Sequence, residues 1–147
     1  MKPAQLLYLI IGGCVLAIIG SCLPWVTVTV MGETRVTSGL DGDGVITLIL
    51  AIGALVLAVL KGVGNPKVMT IIGASLAGLA AMIGVYDLIN IKDKTSELSG
   101  LIGDQGNDIF GFSIGIGLYL VIVGSIVALV GFILRLQKTA GPPPMTN

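Results

Sequence analysis

Histidine is absent from this chain of 147 residues, and charged residues make up only 11% of it. The absence removes the side chain most often used as a general base or metal ligand near neutral pH. The sequence also lacks a Ser-His, Cys-His or paired-carboxylate pattern of the kind that catalysis requires. Its basic residues form no cluster with interleaved aromatic residues, which gives nucleic-acid binding no support. The sequence therefore predicts a protein that is not an enzyme and that uses no cofactor or metal.

Cysteine is scarce as well, with two residues that lie eight positions apart, Cys14 and Cys22. On one helix this spacing separates them by about 12 Å along the axis, which excludes a mutual disulfide. There is no C-x-x-C motif, so a membrane thiol oxidoreductase is not predicted. A second topology stays open, because the apolar start followed by Ile19-Gly20-Ser21-Cys22 resembles a bacterial lipoprotein signal. Cleavage there would leave a lipidated Cys22 and three spans.

Apolar residues are abundant, at 54% of the chain, and they gather into four long runs. Each run is close to the roughly 20 residues that a helix needs to cross the hydrocarbon core of a membrane. The predicted spans are residues 6–23, 45–63, 68–91 and 112–134. We therefore predict an all-α membrane protein, a left-handed bundle of four transmembrane helices that forms one domain over residues 1–134. Residues 135–147, which contain a run of prolines, are predicted to form a disordered cytoplasmic tail.

The predicted spans sort the charges onto two sides of the membrane. All eight Asp and Glu residues fall on one side, in or beside the loops 24–44 and 92–111. The other side has five of the eight Lys and Arg residues and no carboxylate. Because cytoplasmic segments carry an excess of Lys and Arg, we place both termini and the loop 61–67 in the cytoplasm. The sequence thus predicts a multi-pass protein of the cell membrane with an acidic outer face.

The first outer loop begins with Pro24 and Trp25, where proline ends the helix and the Trp suits the headgroup region as an interface anchor. β-Branched residues then predominate in 26–30 and 34–37 on either side of a glycine-containing turn, which predicts a small extracytoplasmic β-hairpin between helices one and two. An isolated hairpin is marginally stable, so it should rest on the outer helix ends or the second outer loop. The first residues of that second loop should continue helix three, and a turn is predicted at 104–107.

A glycine-rich stretch, residues 38–44, joins the hairpin to the second span and contains Asp41 and Asp43. Asp43 directly precedes the span and is predicted to be its N-cap. Alternatively, two carboxylates among glycines could supply oxygen ligands to a cation of the calcium type, although the spacing lacks the other ligands of an EF-hand loop. Both interpretations stay open at this stage.

Asp87 is the one acidic residue within a predicted span, near the outer end of the third. A carboxylate inside a membrane is a functional candidate by default. We expect Asp87 to face the bundle, within reach of hydroxyl groups or Arg35 of the hairpin. The candidate polar site, functional or structural, comprises Asp87, Arg35, Asp41 and Asp43. The other three spans contain no charge apart from Lys61 at the cytoplasmic end of the second, so the midplane relay of a proton- or ion-coupled transporter is not predicted.

Small residues recur on single helix faces in the predicted spans. In lipid such residues let helix backbones approach closely. The predicted packing residues are Gly73, Ala77, Ala80 and Gly84 in the third span, and Gly117, Gly124 and Gly131 in the fourth. A further pair, Gly13 and Gly20, lies in the first span and is expected to face the third. The arc of small residues is widest on the third span, which we predict to be the most enclosed helix.

The order of helix, Pro-Trp, hairpin and three further helices resembles the layout of claudin-like tetraspan proteins. The loop 24–44 lacks the two cysteines and the further Trp of the claudin signature, so junction or paracellular-pore function is not implied. The chain is more closely similar to a family of small four-helix membrane proteins of bacteria. Leu23-Pro24-Trp25 and the stretches 38–44 and 115–120 carry this resemblance. It implies a fold and a location, and the family brings no established activity.

Together these features predict a structural or accessory membrane protein whose acidic outer face contacts a partner protein or lipid. The alternative is a small channel or transporter, assembled as a homo-oligomer. The lipoprotein with three spans is the lesser alternative.

Overall fold

Four helices and one small sheet make up the part of the chain that the computed structural model describes, residues 2–30, 32–60, 64–102 and 110–139. The helices are α1 (Pro3–Cys22), α2 (Gly44–Val59), α3 (Pro66–Ile102) and α4 (Ile116–Thr139), and a 3-10 turn spans Gly39–Asp41. The strands are β1 (Pro24–Val30), β2 (Glu33–Ser38) and β3 (Phe110–Ile114). The mostly helical fold with a small antiparallel sheet after the first helix is confirmed in outline. The predicted turn at 104–107 lies outside the described residues.

Three of the helices are long and apolar enough to cross a membrane, over Pro3–Cys22, Pro66–Glu97 and Ile116–Lys138. The apolar helix α2 is shorter, with 16 residues. At 1.5 Å per residue it measures about 24 Å, against about 30 Å for a bilayer core. It ends at Val59, and Leu60 turns out of the helix with a ψ of 115°. The second predicted span, 45–63, is therefore shorter as a described helix than the sequence indicated.

The sheet has three strands in the order β2-β1-β3, where the sequence predicted a hairpin of two. β1 pairs with β2 from Val26–Thr37 to Val30–Glu33 and with β3 from Val26–Ile114 to Val30–Phe110, both antiparallel. The segment between α3 and α4, which was predicted as the second outer loop, thus supports the hairpin by contributing a strand. Segment 110–114 was predicted in part as the start of helix four, because its Phe and Ile residues extend the apolar run. Its alternation of Phe-Gly-Phe-Ser-Ile suits a strand better.

The fourth helix is displaced along the chain relative to the prediction of 112–134. It begins at Ile116, after Gly115 donates its amide to the carbonyl of Trp25 at 2.7 Å. It continues to Thr139, so the residues 135–139 of the predicted disordered tail are helical. Residues 140–147 lie outside the described residues. The third helix runs past the predicted span to Ile102, as expected for the first part of the second outer loop.

The helices form a ring in which α1 packs against α4 and α2, and α3 packs against α4 and α2. The most extensive contact is between α1 and α4. There the glycines of the two helices meet, because a Cβ on Gly13 would lie 2.7 Å from the Gly124 carbonyl, and one on Gly20 would lie 2.7 Å from the Gly117 carbonyl. The expectation that Gly13 and Gly20 face the third helix is therefore wrong. Glycine permits the approach because any side chain would separate the two backbones.

Helix α4 is more enclosed than α3, contrary to the prediction. Within the most apolar window, 44% of α4 is buried inside the protein against 28% of α3. α3 does use its small residues for packing: Ala77 and Ala80 are buried, and Gly73 lies against the ring of Phe132. The other small residues of its arc are buried (Ala81, Gly84) or half-buried (Ala74, Gly78), and α3 is less enclosed than α4 because many of its larger side chains outside this arc are exposed.

Two apolar clusters form the core. One lies between all four helices and contains Ile10, Cys14, Ala54, Ala77 and Phe132, among others. The other lies at the sheet end of the bundle, where Trp25 packs on Leu118 and Val121 of α4. The helices also expose a large number of Ile, Leu, Val and Met side chains on their outer surfaces. This outward apolar surface is typical of helices that lie in lipid.

Candidate functional site

A cavity of about 150 Å³ opens at the sheet end of the bundle, where β1, the start of α2 and the middle of α3 meet. Trp25, Asp43, Asp87, Asn90, Ile91 and Lys94 line it. The four lining residues of α3 are spaced at i, i+3, i+4 and i+7, which places them on one face of the helix. One face of α3, which carries three polar residues and Ile91, therefore lines the cavity. Trp25 of β1 and Asp43 at the start of α2 complete the lining.

Asp87 forms the inner wall of this cavity. Its side chain is 9% exposed, and its Oδ2 atom is fully buried without a hydrogen-bond partner among the described residues. Its carboxyl group is within hydrogen-bonding reach of the carboxyl group of Asp43. A buried carboxylate without a donor loses the solvation it had in water and gains nothing in return. Asp87 is thus the polar group in this region whose surroundings satisfy it least.

Asp43 occupies the N-cap position of α2, as predicted, but its side chain makes no capping hydrogen bond. Its backbone already has helical dihedral angles, with φ −67° and ψ −10°. An N-cap residue whose side chain caps the helix usually has extended dihedral angles, so this geometry directs the carboxylate away from the first turn. The side chain lines the cavity and is exposed to solvent on its other side.

Asp41 serves the local fold instead. Its Oδ2 accepts a hydrogen bond from the Ser38 amide at 3.0 Å, while the Ser38 hydroxyl accepts one from Leu40 at 3.1 Å. These reciprocal bonds cap the 3-10 turn that leads into α2. Gly39, the first residue of this turn, packs against the carbonyl of Ser21 and the ring of Trp25, where no Cβ would fit.

Arg35 lies on the edge strand β2, opposite Val28, and its side chain is exposed. The structure therefore divides the candidate polar site of the sequence. It brings Asp43 and Asp87 together, assigns Asp41 to a turn and places Arg35 on the edge strand of the sheet. The charge that acts on Asp87 is the carboxylate of Asp43.

Trp25 is buried in the protein rather than projecting toward a headgroup layer. Its side chain is 5% exposed, and its indole Nε1 donates a hydrogen bond to the Gly20 carbonyl at 3.0 Å. The predicted role as an interface anchor is thus replaced by a packing role, in which Trp25 closes the sheet end of the bundle and forms one wall of the cavity.

Asn90 and Lys94 are the polar lining residues that sequence reasoning missed. Their spacing of three and seven from Asp87 on a predicted helix was the available signal. Counting full charges, the described lining carries −2 from Asp43 and Asp87 and +1 from Lys94, a net of −1. The cavity therefore favours a positively charged occupant.

At the opposite end of the bundle lies a larger cavity of about 510 Å³, lined by residues that include Leu7, Ala58, Arg135 and Lys138. Arg135 donates a hydrogen bond from Nη1 to the Ala58 carbonyl at 3.3 Å. The acidic lining residues thus lie at one end of the ring and these basic residues at the other. This separation agrees with the two-sided charge distribution in the sequence.

The described residues contain no group of three or more Cys, Asp or Glu side chains close enough to hold a metal ion by themselves. Both cysteines are free, with Cys14 buried and Cys22 exposed. Comparison with models of known protein families finds no match, and comparison with curated proteins finds no significant match.

Proposed function

We propose that the chain is a multi-pass membrane protein without catalytic activity, which crosses the cell membrane four times in a structural or accessory role. The observation that carries this proposal is the apolar outer surface of the helix ring. Met82 is 69% exposed, Ile49 64% and Val123 52%, each on a different helix. In water such a surface would be costly at about 25 cal/mol for each Å² of apolar area, whereas in lipid it is the expected exterior.

Helix α2 is included as the fourth span, although it is short. It completes the ring between α1 and α3, and its outward side chains are apolar, among them Ile46, Ile52 and Val56. A helix of about 24 Å in a core of about 30 Å is accommodated by local thinning of the bilayer at a modest free-energy cost. The resemblance to small four-helix membrane proteins of bacteria agrees with this arrangement.

The sheet end is proposed to face outward, because the basic residues of the opposite end suit the cytoplasm. Single cysteines in a background without Cys14 and Cys22 test this orientation. Gly42, whose Cβ position is open, and Gln137, which is exposed near the end of α4, are suitable sites. A cysteine at Gly42 should react with a membrane-impermeant thiol reagent in intact cells, and one at Gln137 only after permeabilisation. The reverse pattern would contradict the orientation.

The acidic outer end is proposed to contact a partner protein or lipid headgroups. Supporting features are the exposed edge strand β2, which includes Val36 at 56% exposure, and the adjacent carboxylates. We expect protein isolated in mild detergent from its native membrane to have the mass of a complex with a second protein or with retained lipid. Vesicles containing the purified chain should show the same ion leak as vesicles without protein. A homo-oligomer that conducts ions would refute the accessory role and establish the channel alternative.

A further inference from the structure

The carboxyl groups of Asp43 and Asp87 both line the cavity at the sheet end and lie within hydrogen-bonding reach of one another. Asp87 is more than nine-tenths buried, and its Oδ2 atom has no hydrogen-bond partner among the described residues. Two like charges at such close range repel one another, and burial of one of them weakens the screening by water. A fold that keeps this arrangement gains stability from any positive charge that enters between the two groups.

The groups around the cavity define what kind of positive charge fits. The atoms that could bind a cation are the carboxylate oxygens of Asp43 and Asp87 and the side-chain amide oxygen of Asn90. The described lining contains no thiol or imidazole. Oxygen ligands select hard cations of the calcium and magnesium class. The cavity volume of about 150 Å³ leaves room for an ion that keeps several waters, since one water occupies about 30 Å³ in the liquid.

We propose that Asp43 and Asp87 bind a hard divalent cation of the calcium class, with the Asn90 amide oxygen as a third ligand and water completing the coordination. The cation links the start of α2 to the middle of α3 at the sheet end of the bundle. The sequence had suggested Asp41 and Asp43 as the ligand pair. The structure replaces Asp41, whose carboxylate caps a turn, by Asp87.

Lys94 is the competing positive charge, because it lines the same cavity and lies two helical turns beyond Asp87. Its side chain is exposed, and the buried Oδ2 atom of Asp87 receives no hydrogen bond from it. We place Lys94 at the rim of the cavity. There its positive charge lowers the affinity of the site for a cation, but it does not take the place of the cation beside Asp87. The proposal does not depend on the membrane role, because a single chain forms the cavity and the test uses protein purified in detergent.

Trp25 provides the readout, since it is the only Trp of the chain and lines the cavity. Purified protein is titrated with CaCl2, with MgCl2 and, as an organic-cation probe, with tetramethylammonium chloride, at constant ionic strength in KCl. We expect a saturable change in Trp25 emission with a midpoint on the order of 0.1–1 mM Ca²⁺, the range of sites with few charged ligands. Equilibrium dialysis should find one Ca²⁺ per chain at saturation.

Charge-neutral variants locate the site. Asp87→Asn and Asp43→Asn should each weaken Ca²⁺ binding at least ten-fold. Asp93→Asn is the matched control, because Asp93 lies on the same helix, is exposed and does not line the cavity. It should bind within two-fold of the unaltered protein. Lys94→Gln should tighten binding, because it removes a positive charge from the rim.

Thermal unfolding separates a binding site from a structural role. In the absence of Ca²⁺, Asp87→Asn should raise the unfolding temperature, because it removes the repulsion with Asp43, and it should abolish the rise that Ca²⁺ causes in the unaltered protein. If Asp87→Asn does not fold, Asp43→Asn at the exposed start of α2 carries the same comparison.

Four results would overturn the proposal. A response to tetramethylammonium without one to Ca²⁺ or Mg²⁺ would assign the cavity to an organic cation. A change in Trp25 emission with pH, without any change on addition of Ca²⁺ or Mg²⁺, would indicate a proton shared between the two carboxyl groups. Loss of stability in Lys94→Gln with no effect of Ca²⁺ would make Lys94 the internal counter-ion. An equal loss of binding in Asp93→Asn would indicate nonspecific attraction to surface carboxylates.

Discussion

The contact between α1 and α4 offers a matched test within one pair of adjacent glycines. Gly13 faces α4, where a Cβ would lie 2.5 Å from the Ala128 amide nitrogen and 2.7 Å from the Gly124 carbonyl oxygen. Gly12, its neighbour, has no atom within 4 Å of its Cβ position. Both glycines lie within α1, so replacement by alanine changes the intrinsic helix preference equally. The comparison therefore isolates the cost of forcing the two helices apart.

Ordinary van der Waals contact places a Cβ about 3.4–4 Å from its neighbours. Gly13→Ala must therefore widen the interface by about 1 Å, and the atoms that resist are backbone rather than flexible side chains. Overpacking of this kind costs about 1–3 kcal/mol. Gly12→Ala carries no such cost. In both variants the change from glycine to alanine stabilises the helix by up to about 1 kcal/mol, so this gain cancels in the comparison.

Thermal unfolding in detergent, followed by circular dichroism, measures the difference. For a chain of this size, each kcal/mol of unfolding free energy corresponds to a shift of about 2–4 °C in the unfolding temperature. Gly13→Ala should therefore unfold about 2–12 °C below Gly12→Ala. The reciprocal variant Gly124→Ala should behave like Gly13→Ala, because a Cβ there would lie 2.5 Å from the Ala17 amide nitrogen. Equal unfolding temperatures for the two α1 variants would refute the close packing of these helices.

Three further predictions concern α1 and the residues it contacts. Trp25→Phe should lower the free energy of unfolding by about 1–3 kcal/mol in a denaturant titration, because it removes the 3.0 Å bond to the Gly20 carbonyl and some buried volume. A double-mutant cycle of Ser21→Ala and Thr47→Val should give a coupling of about 0.6 kcal/mol for their 3.0 Å hydroxyl contact, and zero coupling would contradict it. Intact-mass measurement should find a chain that retains α1, whereas a lipidated chain starting at Cys22 would establish the three-span topology.

Patterns within single segments predicted most of the fold. The apolar runs located the four helices to within a few residues at most ends, and the alternation after Trp25 located β1 and β2. The strand β3 was missed because it adjoins the apolar run of α4, and pairing with β1 decides its conformation. The partner of a helix face could not be predicted either, since Gly13 and Gly20 carry no information about which of three other helices they meet.

The candidate site shows a similar division. Burial of Asp87 toward the bundle followed from its position on a stripe of small residues, and the N-cap position of Asp43 followed from its place before α2. That these two carboxylates meet could not be predicted, because they lie 44 positions apart and are joined only by the packing of α2 on α3. The expected partner Arg35 was plausible from charge alone, and the register of the sheet places it elsewhere.

The cavity and the sheet share one structural element, the strand β1. Trp25 belongs to β1, packs on α4 and lines the cavity, so it connects the sheet, the bundle and the paired carboxylates. A cation between Asp43 and Asp87 would join α2 to α3 directly beside it. If the proposed cation stabilises one arrangement of this end, a partner that selects the same arrangement must bind more tightly in its presence. By reciprocal linkage the partner must then increase the affinity for the cation by the same factor.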